Sequence, residues 1–162
     1  MTTDDQYLLL RQQLISDYHY RVIAGKKIAI TTKQPRDGIV GEFYPQTPTL
    51  GFVALYPRPK ERKPFNEFCT LAHELGHAYS WINGTRSEAY EAVYNQPNPA
   101  MLPVAQKQLI IDEEIRAWQL GFRVAQEVGF DDRAGYVAEA NLALRRYYDN
   151  LTMTPEPFTI AN

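Results

Sequence analysis

The segment LAHELGHAYSW, residues 71–81, contains two of the three histidines in the chain. Residues four apart share one face of an α-helix, so the imidazoles of His73 and His77 would project together. Two imidazoles at this spacing can bind one zinc ion, and Glu74 can reach a water molecule on that ion without itself binding the metal. The spacing therefore predicts a zinc site in which Glu74 is the general base.

An exposed pair of histidines on an ordinary amphipathic helix is the alternative interpretation. A second stripe of the same helix is apolar and predicts a buried face: Phe68, Leu71, Leu75, Ala78 and Ile82. Gly76 lies between the histidines, and glycine inside a helix costs about 1 kcal/mol relative to alanine. We therefore expect another element or a ligand to approach Gly76 closely, which favours the metal site.

A catalytic zinc ion normally has three protein ligands and a water molecule, so a third ligand is needed. The metzincin pattern would place Gly at position 80 and His at position 83, where this chain has Ser80 and Asn83. His19 and Cys69 are further candidates, but a lone histidine or cysteine is more often packed or exposed than a ligand. The carboxylates at positions 112–114 are better candidates.

Helical periodicity distinguishes the neighbouring carboxylates Glu113 and Glu114. Glu114 belongs to an apolar stripe with Ile110, Ala117, Gly121, Val124 and Val128. Glu113 belongs to a charged face with Arg116, Arg123 and Glu127. A carboxylate on an inward face needs a partner, so we predict that Glu114 completes the site and that Glu113 lies at the surface. A buried arginine or tyrosine as the partner of Glu114 is the alternative.

The rest of the chain predicts an α+β domain. Helical patterns cover residues 4–24, 64–82, 87–94, 104–128 and 131–148, and Thr85 and Glu88 have capping-box spacing. The runs KKIAITT, GIVGEFYP and TLGFVALYP are short, β-branched and aromatic, which predicts a small sheet. We expect one domain over residues 1–150 and an irregular tail over residues 151–162.

Composition excludes several classes of protein. A net charge of -2 gives no global attraction to nucleic acid or anionic lipid, so neither is an expected partner. The single cysteine cannot form an intramolecular disulfide, and the N-terminal residues resemble neither a signal peptide nor a membrane span. We therefore expect a cytoplasmic location.

Three features have two interpretations each. The basic stretch RPKERKP, residues 58–64, is a solvated connector or a phosphate contact. Residues 83–103 are a connector or a lid over the site. The run GFVALYP, residues 51–57, is an internal strand or an edge strand that pairs with an extended peptide. A reacting carbonyl also needs a hydrogen-bond donor, and three tyrosines are close in sequence: Tyr79, Tyr90 and Tyr94.

The sequence resembles the zincin-like metallopeptidases of the ImmA/IrrE group. The resemblance covers TLAHELGH, residues 70–77, preceded by GFVALYP and followed by EEIRAWQLG, residues 113–121. In that family a later helix supplies a glutamate ligand in an E-x-x-A-N-x-F-A type pattern. Glu114, Ala117, Leu120 and Gly121 fall on corresponding positions, so the resemblance also implies Glu114 as the ligand. Trp118 departs from the pattern, because it stands where family members usually have Asn.

The resemblance implies a zincin-like fold and a zinc-dependent endopeptidase of the gluzincin type. Family members cleave regulatory proteins, often transcriptional repressors, so a protein substrate such as a DNA-binding repressor is implied. A zinc-stabilised interaction module without turnover is the main alternative. Metal-dependent action on nucleic acid, suggested only by RPKERKP, is a third interpretation.

Overall fold

The computed structural model describes residues 1–58 and 60–161, which form an α+β structure. The helices are α1 (Thr3–Tyr18), α2 (Pro64–Ile82), α3 (Glu88–Tyr94), α4 (Val104–Glu127) and α5 (Arg133–Leu151). The strands are β1 (Val22–Ile23), β2 (Lys26–Thr32), β3 (Gly41–Thr47) and β4 (Leu50–Leu55). The predicted α+β class and small sheet are confirmed.

The strands form one mixed sheet in the order β1-β2-β4-β3. Strands β2 and β4 are parallel, whereas β1 pairs with β2 and β3 pairs with β4 in the antiparallel sense. The run GFVALYP is therefore internal, and β3 is the edge strand beside it. Pro45 fits this edge position, because proline has no amide hydrogen to give to a second neighbouring strand.

Helix α2 lies at the centre of the molecule and has the bounds that the sequence predicts. Proline is tolerated in a first turn, so the helix begins at Pro64. Its apolar stripe is fully buried at Phe68, Leu71 and Leu75. Trp81 packs against Phe43 of β3 with a ring-centroid distance of 5.6 Å, which joins α2 to the sheet.

The first helix was predicted to extend to Ala24, but α1 ends at Tyr18. His19 is already extended, and Tyr20 has a positive φ of 63°. The chain then turns back, and Val22 and Ile23 pair with β2. Gly25, interpreted as the end of the helix, lies in the turn between β1 and β2, where its φ is 78°.

The predicted short helix is present as α3, but its cap is a different residue. The hydroxyl of Ser87 accepts a hydrogen bond from the Tyr90 amide at 3.1 Å. The hydroxyl of Thr85 instead donates to the Ser80 carbonyl oxygen at 3.0 Å, near the end of α2. Because α2 already uses Thr85 to satisfy one of its last carbonyls, the capping position moves to Ser87.

The two arginines of the basic stretch at 58–64 pair with nearby carboxylates. Pro59 lies outside the described residues. Arg58 lies 3.7 Å from Glu61, and Arg62 lies 3.4 Å from Glu139 on α5. These ion pairs favour the connector interpretation over a phosphate contact.

The C-terminal tail has no regular structure from Thr152 to residue 161, one residue later than expected because α5 includes Leu151, and Asn162 lies outside the described residues. It is nevertheless held in place. The side chain of Asn141 on α5 accepts a hydrogen bond from the Phe158 amide at 2.8 Å and donates to the Phe158 carbonyl oxygen at 3.2 Å. The Phe158 ring is buried, so the tail covers part of the core.

Over residues 1–58 and 60–161, every helix is too short or too polar to cross a membrane.

Candidate metal centre

The site lies where α2 and α4 cross, and two glycines permit the crossing. A Cβ atom on Gly76 would overlap the Ala117 carbonyl oxygen of α4, and one on Gly121 would lie 2.6 Å from the Ala72 carbonyl oxygen of α2. The backbones therefore approach more closely than any larger residue would allow. The expectation that another element lies against Gly76 is confirmed.

This crossing brings together His73, His77 and Glu114. One potential ligand atom from each of the three side chains lies within 4.8 Å of the others, and all three side chains are buried. The Nε2 atom of His73 is 3.2 Å from Glu114 Oε2, and that of His77 is 3.4 Å from Oε1. Despite this distance, Glu114 Oε2 accepts no hydrogen bond from a described residue. Two nitrogens and one carboxylate thus face a common point, which makes this a possible metal site.

Glu113 was predicted to lie at the surface, and this prediction is wrong. Its side chain is 1% exposed, because α2 and the chain after it lie over this part of α4. Its Oε1 atom is 3.1 Å from His77 Nδ1, and its Oε2 atom accepts hydrogen bonds from Ser80 and Arg116, both at 2.8 Å. Glu113 is adjacent to the apolar stripe, and periodicity alone did not reveal that the crossing extends over it.

The buried charges shift each other's pKa values. Burial by itself would lower the pKa of His77, but the Glu114, Glu113 and Glu74 carboxylates outweigh burial and raise it to about 10. Burial would raise the pKa of Glu114, but His77 and His73 hold it well below its usual range. Without a metal, His77 is therefore protonated at neutral pH and forms an ion pair with the two carboxylates.

Glu74 lies beside this cluster and is also buried. Burial raises its pKa above the ordinary value, and the nearby histidines only partly offset that effect. A Cβ atom on Gly41, at the start of β3, would lie 2.9 Å from the Glu74 Cγ atom. Gly41 thus lets the edge strand pass directly against the Glu74 side chain.

A cavity of about 600 Å³ opens beside the cluster. His73 and Glu74 line it on the α2 side, and residues 38–42 line it where the chain enters β3. Helix α5 provides another wall, which includes Leu142, Arg146 and Tyr147. The cavity is large enough for several residues of an extended peptide and reaches one of the possible ligands.

Tyr147 was not identified from the sequence, because it is far from residues 73–77 along the chain and the α5 pattern does not distinguish it from packing tyrosines. It lines this cavity and also a smaller one next to His77 and Glu114. The charge of Glu114, and then burial, raise the pKa of its phenol well above the usual value. No hydrogen bond joins its hydroxyl to another residue in the described part of the chain.

The other candidate residues have different positions. Tyr94 lines both cavities, and Tyr90 lines the smaller one. Tyr79 points away and lies 3.2 Å from the Tyr18 hydroxyl. His19 accepts a hydrogen bond from the Ile30 amide at 3.0 Å, and Cys69 is buried in the core. Neither His19 nor Cys69 belongs to the ligand cluster among the described residues.

Comparisons with protein-family models, curated proteins and solved structures found no match to this chain.

Proposed function

We propose that the chain is a zinc-dependent endopeptidase with a zincin-like fold of the ImmA/IrrE type. The observation that carries the proposal is a buried His73, His77 and Glu114 cluster with Glu74 beside it on a cavity wall. Two imidazoles and one carboxylate are a usual ligand set for catalytic zinc, with a fourth position left for water. The Glu114 oxygen that lies close to His73 without a hydrogen bond also fits a shared metal.

When bound, zinc would polarise the scissile carbonyl and lower the pKa of a water molecule. Glu74 is the general base that removes a proton from this water and later delivers it to the leaving amine. The raised pKa of Glu74 suits both steps, because a base with a pKa closer to neutrality also works as an acid. Glu113 holds the His77 ring in place through Nδ1.

The developing negative charge on the carbonyl oxygen needs a hydrogen-bond donor from the protein. Tyr147 fits this role better than the tyrosines closer in sequence, since its hydroxyl has no partner among the described residues and it lines both cavities. Its high pKa keeps the phenol protonated, as a donor must be. Tyr94 lines the same cavities and is the second candidate.

The substrate we propose is an extended segment of a regulatory protein such as a transcriptional repressor. Strand β3 is at the edge of the sheet, and the residues that enter it line the cavity. An extended peptide can pair with such an edge through main-chain hydrogen bonds. Main-chain hydrogen bonds do not depend on the side chains of the substrate peptide. We therefore expect the α5 side chains in the cavity wall to determine which peptide sequences fit.

The test is peptide cleavage by the zinc-loaded protein and by Glu74→Gln. A complex mixture of peptides from a digested proteome would be incubated with each protein, and new chain ends would be identified by mass spectrometry. We expect cleavage by the wild type, its loss with a chelator, and its loss in Glu74→Gln with zinc still bound. Loss of zinc binding in Glu74→Gln would assign Glu74 a structural role instead.

A zinc-stabilised interaction module is the second candidate function. It is favoured by the position of the cluster at the crossing of α2 and α4, where a metal would join the two helices. Zinc binding by the wild type without cleavage of any peptide in the mixture would support this module over the enzyme.

A further inference from the structure

Trp118 lies flat against one of the two histidines of the cluster. The ring centroids of Trp118 and His73 are 4.4 Å apart, and the ring planes differ by 25°. The indole is 3% exposed and makes an edge contact with Tyr136 at 5.3 Å. The Tyr136 hydroxyl also donates to the Trp118 carbonyl oxygen at 3.1 Å. Packing therefore fixes the indole against the imidazole face.

The two imidazoles are held in different ways. His77 has Glu113 at its Nδ1 atom, at 3.1 Å. The Nδ1 atom of His73 is buried and has no hydrogen-bond partner within residues 1–58 and 60–161. A metal-binding histidine usually takes its orientation from a hydrogen bond at the other ring nitrogen. His73 lacks that bond, so its ring contacts must set its orientation.

We propose that Trp118 is a positioning residue that orients His73 for metal binding by ring stacking. This inference rests on the proposed zinc site. An imidazole that binds a cation becomes electron-poor, and the indole face attracts positive charge more strongly than the other aromatic side chains. The contact should therefore be more favourable with zinc bound than without it, so that removing the indole weakens zinc binding.

The first test is calorimetric zinc titration of chelator-stripped wild type, Trp118→Leu and Trp118→Phe. Leucine fills much of the space without a π face, and phenylalanine keeps one. We expect Trp118→Leu to bind zinc about tenfold more weakly, and Trp118→Phe to remain within about threefold of the wild type. Trp81→Leu is the matched control, because Trp81 is also a buried tryptophan of α2 but packs at a tilt against Phe43 and not against a histidine of the cluster.

The second test is spectroscopic and does not need Trp118→Leu to fold. The chain has two tryptophans, so Trp81→Phe leaves Trp118 as the sole indole emitter. A cobalt ion bound to His73 would quench the fluorescence of the indole that stacks on this histidine. We expect quenching that saturates at one equivalent of Co²⁺, and weaker quenching of Trp81 in Trp118→Phe.

The outcomes separate this inference from the proposed function. If the wild type binds no zinc, both are wrong. If it binds zinc and Trp118→Leu binds equally well, or Trp118 emission is unchanged at one equivalent of cobalt, only the inference is wrong. Equal weakening in Trp81→Leu and Trp118→Leu would also overturn it, since the effect would then be a general loss of packing.

Discussion

Single residues of the candidate site carry buried charges of opposite sign that lie close together. Glu113, Glu114 and His77 are each at most 5% exposed, and each has an opposite charge within 3.4 Å. Removing one member of such a buried ion pair lowers the stability of the protein, because the remaining charge loses its partner. The same property makes the site sensitive to conservative substitutions and to pH.

Glu113→Gln should weaken zinc binding about 10- to 100-fold, because the amide supports His77 less well than the carboxylate does. Calorimetric titration measures this change. Asp112→Asn is the matched control, since Asp112 is exposed and, among the described side chains, accepts a hydrogen bond only from Gln108, at 2.8 Å. Unchanged zinc affinity in Glu113→Gln would show that Glu113 does not orient His77.

Zinc binding at pH 7 should release about one proton, because the pKa of His77 in the metal-free protein is about 10 and zinc needs the neutral imidazole. Titrations in buffers with different heats of ionisation measure the proton count. A count of zero would mean that His77 is neutral before the metal binds.

Metal-free protein should also lose stability as the pH rises. The pKa of His77 is raised from its ordinary value of 6.5, so its contribution is complete below about pH 6.5 and is lost as the pH approaches about 10. Urea unfolding of chelated protein at pH 7 and pH 9 tests this. Zinc-loaded protein is the control, and its zinc-dependent stabilisation should instead grow over the same range, because protons compete less for His77.

At the scale of elements, the helix crossing depends on two glycines. Alanine normally stabilises a helix by about 1 kcal/mol relative to glycine. Gly76→Ala should instead destabilise the protein by about 1–3 kcal/mol, because its Cβ would meet the Ala117 carbonyl of α4. Chemical denaturation measures the difference. Gln119→Ala, on the exposed side of α4, should change stability by less than about 0.5 kcal/mol.

The helices and strands also show which features of the fold can be predicted from sequence patterns. Helix α2 and the inward position of Glu114 followed from periodicity, since long amphipathic helices carry strong local signals. The end of α1 was misplaced, because Val22 looks the same in a helix and in a short exposed strand. The burial of Glu113 and the position of Tyr147 depend on how α4 and α5 meet α2, and local patterns do not encode that.

At the scale of the whole molecule, the proposed metal would join helices that already share a large core. Phe122, Phe130 and Tyr136 pack together in this core, and none of them is a proposed metal ligand. We therefore expect the metal-free protein to stay folded, unlike a zinc finger. Zinc at about 100 times its dissociation constant should add about 2.7 kcal/mol.

Removal of zinc with a chelator should lower the unfolding temperature by about 5–10 °C and leave the helical circular dichroism at 25 °C nearly unchanged. Glu114→Gln is the control, since it should show little response to zinc or chelator. Collapse of the helical signal on chelation would instead mean that the metal is needed for folding.

Arg86 has a consequence for how a substrate would enter. Its guanidinium lies over the rings of Phe43, Tyr90 and Tyr94, within 5.5 Å of each centroid, and pairs with Glu91. Because Phe43 lies on β3 and the other three partners lie on α3, swinging α3 away from β3 would separate the buried Arg86 cation from one side or the other. We therefore expect the cleft to be preformed, so that selection among substrates of the proposed peptidase would depend on which proteins can offer a locally unfolded segment. Restraint of the proposed peptidase would then lie in the folding of its target and not in a gate of its own.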